Sequence, residues 1–148
     1  MAEIGFYHLF STPLERALPR LLERAVGQGN RVVIQAGSPE RVEHLNALLW
    51  KYDEAGFLAH GSARDGNAAA QPIWLTHQSE NPNGASILFL VDGVQADDLA
   101  GFTRCVDMFD GNDPDAVEAA RGRWRASNAA GHTLTYWQQT EKGWEKKA

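Results

Sequence analysis

Two short stretches, "RVVIQA" at 31–36 and "SILFLV" at 86–91, are almost wholly apolar. Strands of this kind belong to a sheet covered on both faces, and so to an α/β arrangement with a mostly parallel sheet. The segments around them alternate accordingly. "IGFYHLF" reads as a first strand. "STPLERALPRLLERAV" opens a helix with Thr12 as the cap, Pro13 first inside and Glu15 three residues after the cap. Leu14, Leu18, Leu21, Leu22 and Ala25 keep helical spacing, while Pro19 inside that pattern should kink or split the helix.

A second helix starts at Ser38-Pro39, with Val42, Leu45, Leu48 and Leu49 on one side. "FLAHGSARDGNAAAQP" reads as a short extended piece and a loop of small and polar residues. "IWLTH" is a strand, "ADDLAGF" a short helix and "RCVDMF" another strand. "DGNDPDAVEAARGRWRASNAAG" is a helix capped by Asp113, with Pro114 first inside and Gly131 as its stop. Asp115 and Glu118 suit its positive end. "HTLTYW" alternates like a last strand. No repeat or linker divides the 148 residues, so one domain over 1–148 is expected, with 141–148 as a loosely ordered basic tail.

Apolar content of 43% and charged content of 22% fit a soluble globular chain. No run approaches the length of a membrane span, and "MAEIGFYHLF" lacks a basic leader and a cleavage pattern, so a cytoplasmic protein is expected. Cys105 stands alone among apolar residues and reads as a buried structural thiol. From Arg121 onward six Lys/Arg stand against two Glu, a local charge of +4 that leaves −9 on the first 120 residues. That distribution argues against a broad nucleic-acid footprint and allows a small anion site.

The motifs of nucleotide and metal chemistry are missing. No GxxxxGK[ST] or GxGxxG follows any strand, so no phosphate-binding loop is present. Asp92-Gly93, which ends an apolar strand, reads as a turn. His8, His44, His60, His77 and His132 never take HxxxH or HExxH spacing. There is no GxSxG elbow, and Cys105 within a strand is poorly placed as a nucleophile. Together these absences favour a binding protein with no cofactor, no metal and no catalytic residues.

The last helix carries "RGRWR" at 121–125. On a helical wheel, Ala116, Gly122, Ala126 and Ala130 fall within about 60° of Ala119. If this small-residue stripe faces the sheet, Val117 and Trp124 point outward with Arg121 and Arg125 beside them. In the other arrangement Trp124 turns inward and the alanines face water. Guanidiniums hold carboxylates and an apolar pocket beside them takes a ring, so the fitting ligand is a peptide with a carboxylate and an aromatic residue. Single-stranded nucleic acid could also stack on Trp124, against the acidity of the body.

"FYHL", "RVVIQAGSPERVEHLNALLW", "FLAHG", "ILFLVDG", "VDMF" and "AARGRWRASNAAGHTLTYW", in this order, resemble the chi subunit of bacterial DNA polymerase III holoenzyme over nearly the whole chain. The resemblance implies a three-layer Rossmann-like α/β domain without nucleotide. It implies an accessory subunit that pairs with the psi subunit, joins the clamp-loader complex through psi, and binds the acidic C-terminal tail of single-stranded DNA-binding protein (SSB). Direct nucleic-acid binding is not expected. The positions matching the family's tail pocket are Phe109, Val117, Arg121, Trp124 and Arg125. A lysine used by some members falls at or beside Val117, so Arg121, Arg123 or Arg125 must supply that charge. The psi-facing positions are Trp50, Phe57 and Leu58. Two other readings remain: a nucleotide-dependent enzyme using "LVDG", and a direct single-strand DNA binder.

Overall fold

Alternate side chains of a strand point to opposite faces, and at 32–34 and 87–90 both sets are apolar. The computed structural model describes residues 3–10, 12–52, 60–62, 66–96, 99, 101–141 and 143–148. Among them are strands β1 (Glu3–Leu9), β2 (Val32–Gln35), β3 (His60–Ser62), β4 (Ile73–Thr76), β5 (Ile87–Leu90), β6 (Arg104–Asp110), β7 (Thr133–Thr140) and β8 (Gly143–Lys146). The helices are α1 (Leu14–Gly27), α2 (Pro39–Tyr52) and α3 (Pro114–Ala129).

The strands form one sheet in the order β3-β4-β2-β5-β6-β1-β7-β8. Every pairing is parallel except β7 with β8. Val32, Ile34, Ile87, Phe89, Val106 and Met108 face α1 and α2, meeting Leu18, Leu22, Leu45 and Leu49. Burying each such leucine stabilises the fold by roughly 1.5–3 kcal/mol. Ile4, Phe6, Val33, Leu88, Cys105 and Phe109 lie in the opposite cluster, where α3 packs with Ala120, Val117 and Trp124. This is the α/β architecture with a mostly parallel sheet and helices on both faces that the apolar strands demanded. Cys105 is buried, and burial pushes its thiol pKa far up.

Several local expectations change. Thr12 does not cap α1: Pro13 takes the cap position with no side-chain bond, and Gln139 of β7 engages Thr12 instead. Of the kink or split expected at Pro19, the split does not occur: one helix runs through it. That residue lies one turn in, where the bond lost at its missing N–H is outweighed by Leu18 and Leu22 on either side, both fully buried. Residues 143–146 pair with β7 as a strand where a loose tail was expected. Trp144 anchors them, its ring centroid 5.0 Å from that of Tyr7. The Asp92-Gly93 turn forms, both residues at positive φ (61° and 75°). In "ADDLAGF", residues 97, 98 and 100 lie outside the described residues, as do 63–65 of the expected loop.

Candidate peptide-binding site

Helix α3 is delimited by local chemistry. The Asp113 carboxylate accepts from the Asp115 N–H at 3.0 Å, closing the first turn. At the other end Gly131 adopts φ 85°. The His132 N–H bonds to the Ser127 carbonyl and the Gly131 N–H to that of Asn128, the Schellman pattern that ends a helix.

The rotation of α3 about its axis is set by a buried ion pair. Arg123 is only 8% exposed and lies against the sheet. Its Nε donates to Oδ2 of Asp107 at 2.7 Å and its Nη2 to Oδ1 at 3.0 Å. Burial pushes the Asp107 carboxyl above the ordinary range, and the Arg123 guanidinium pulls against that shift. With Arg123 and Ala120 turned inward, Ala119, Ala126 and Ala130 are exposed. The small-residue stripe therefore does not face the sheet. The buried arc is centred roughly 80° away from Ala119, and Trp124 and Val117 sit half-buried on its flank. Arg123 is already committed to Asp107, which leaves Arg121 and Arg125 as the solvent-facing cations of "RGRWR".

Between this flank and the sheet lies a cavity of about 360 Å³. Phe109, Val117, Arg121, Trp124 and Arg125 all line it, together with Phe6, Ala120 and Tyr136. Phe6 and Tyr136 are register partners on β1 and β7. The Trp124 ring meets Phe6 edge-on at 5.3 Å and Tyr136 at 6.1 Å. Rings in this arrangement form walls whose exposed edges and faces suit another aromatic group. The Arg121 and Arg125 side chains stand at the rim, 68% and 69% exposed. Behind the wall, His8 Nδ1 is hydrogen-bonded to the Tyr136 hydroxyl, and the His8 ring stacks on Phe10. Burial pushes the His8 pKa below its ordinary value, helped by the nearby Arg121 charge, while Asp110 and the Gly111 backbone oppose it. Burial also raises the Tyr136 pKa, against Arg121.

Phe6 and Tyr136 did not emerge from the sequence reading. Both belong to alternating strands, "FYHL" and "LTYW", but only the β1–β7 register shows that their rings share a face with α3.

Trp50, on α2, is 55% exposed, and its ring centroid is 4.6 Å from that of His60. Phe57 and Leu58 lie outside the described residues. Trp50 stands by the β3 end of the sheet, whereas the cavity lies over β6, β1 and β7.

A second cavity, about 750 Å³, opens at the carboxyl ends of β1 and β6, where α1 and α3 begin. Doubly wound folds usually take nucleotides in such a crevice. Here Glu15, Asp92, Asp110, Asp113 and Asp115 line it. Arg41 is clamped by Asp92 at 3.0 Å and Glu15 at 3.3 Å. A phosphate entering would face these carboxylates. Among the described residues no three His, Cys, Asp or Glu are grouped to hold a metal, and no helix is long and apolar enough to cross a membrane.

A family model described as "DNA polymerase III chi subunit, HolC" matches residues 1–135. A curated protein of Rickettsia prowazekii (strain Madrid E), named "Probable DNA polymerase III subunit chi", is 34% identical over 91 residues. That alignment takes in 62% of this chain and 55% of the relative, so the chain spans little more than half the relative's length. The family match runs from β1 into β7 and takes in all of α3, so strands β1 to β6, the Asp107–Arg123 pair and all of the first cavity's lining except Tyr136 fall within it. The chain belongs to the DNA polymerase III chi subunit family.

Proposed function

We propose that the chain is a non-catalytic replication subunit that pairs with psi and takes the acidic C-terminal tail of SSB into the cavity beneath Trp124. It thereby links DNA polymerase III holoenzyme, in the cytoplasm, to SSB-coated template. The observation that carries this reading is the cavity itself: an aromatic-walled space of about 360 Å³ with two solvent-facing guanidiniums at its rim. A peptide ending in an aromatic residue would place its ring between Trp124, Phe6 and Tyr136. Its carboxylates would then reach Arg121 and Arg125, which can hold them in bidentate fashion. Two cations are too few for a phosphate-tracking groove, so the reading favours a peptide over bare single-stranded DNA. The carboxylates around the second cavity disfavour a nucleotide there.

On this reading psi docks through Trp50, Phe57 and Leu58. A pull-down from extract of the source cell, repeated in extract whose SSB lacks its tail, tests the proposal. SSB should be captured only when its tail is present, and psi in both. Capture of SSB without its tail overturns the tail assignment.

A further inference from the structure

Glu118 lies between the two guanidiniums that the peptide would need. Its Oε2 is 3.6 Å from Nη1 of Arg121, and its Oε1 is 3.6 Å from Nη2 of Arg125. On the helical wheel the three residues fall within about 60° of one another. One carboxylate of the chain therefore spans both cations, one oxygen to each, at the rim of the cavity. All three side chains are well exposed, so these contacts are weak and exchange readily with an incoming group.

We propose that Glu118 is a resident competitor that sets how many carboxylates a ligand must carry to hold this site; the proposal rests on the peptide reading above. A ligand with one carboxylate gains one guanidinium but must displace one Glu118 contact and then sit beside the Glu118 charge. A ligand whose terminal carboxylate is joined by an acidic side chain satisfies both guanidiniums and releases Glu118 to water. Selectivity of this kind comes from a repulsive element built into the site as much as from the attractive one. The other carboxylates of α3 are not so placed: Asp113 is occupied with the cap and Asp115 sits in the first turn.

The test uses two labelled synthetic peptides with free C-termini, one ending Asp-Phe and one ending Asn-Phe, titrated by fluorescence polarisation. The proteins are wild type, Glu118→Gln, Asp115→Asn and Arg121→Ala. The wild type should prefer the Asp-Phe peptide. Glu118→Gln should bind the Asn-Phe peptide ~3- to 10-fold more tightly at low salt and the Asp-Phe peptide with a smaller gain, so that the preference narrows, and both gains should shrink at high salt. Asp115→Asn, which removes the same charge without touching the bridge, should change affinity less than ~2-fold. Equal or weaker binding by Glu118→Gln overturns the inference, as does an unchanged preference between the two peptides or an equal gain from Asp115→Asn. If Arg121→Ala binds as the wild type does, it is the peptide reading itself that fails.

Discussion

A guanidinium buried under a helix is tolerated only where its charge is met, and Asp107 meets that of Arg123 with two bonds. The pair decides which side of α3 looks down. It was not legible in the sequence because its halves lie 16 residues apart on different elements, and a helical wheel sees only one of them. Judged by size alone, the alanines were the natural contact face, but the ion pair turned them to water. Breaking the pair from one side leaves an uncompensated buried charge. Asp107→Ala should therefore destabilise the fold by about 3–5 kcal/mol, read as a drop in urea midpoint. Replacing both partners with apolar residues of similar volume should restore much of that loss. Stability unchanged by Asp107→Ala would mean that packing alone orients α3.

At the scale of elements, the ends of α3 could be read directly, because Asp113, Pro114 and Gly131 act on their own neighbours. The strands β2 and β5 were equally plain, since uniform apolarity admits few other placements. β8 was not. "GWEK" has one apolar residue among charges, and its strand conformation comes from pairing with β7 and from Trp144 reaching Tyr7. Thr12 failed as a cap for a related reason, a distant partner in Gln139. Trp144→Ala should therefore cost about 2 kcal/mol or more in thermal or urea unfolding. The β7–β8 amides should lose hydrogen-exchange protection before those of β2 and β5 do. A neutral Trp144→Ala would show that backbone pairing alone holds the hairpin.

On the scale of the whole molecule, the sheet keeps its two proposed docking regions apart, Trp50 toward the β3 end and the aromatic cavity over β6, β1 and β7. Sites so separated, with no shared partners, should act independently. Trp50→Ala and Phe57→Ala should each weaken psi binding by ~2 kcal/mol or more, leaving the fold and the affinity for an SSB tail peptide intact. Unchanged psi binding by both variants would remove the psi assignment from these residues. The cavity is tested most directly by titrating a labelled SSB tail peptide against wild type, Arg121→Ala and Trp124→Ala, with a matched peptide lacking its final phenylalanine. Each substitution should weaken binding by ~1–3 kcal/mol, between about five-fold and a hundred-fold, and loss of the phenylalanine should do the same. Equal affinities across the three proteins, or binding indifferent to the final phenylalanine, would contradict the account.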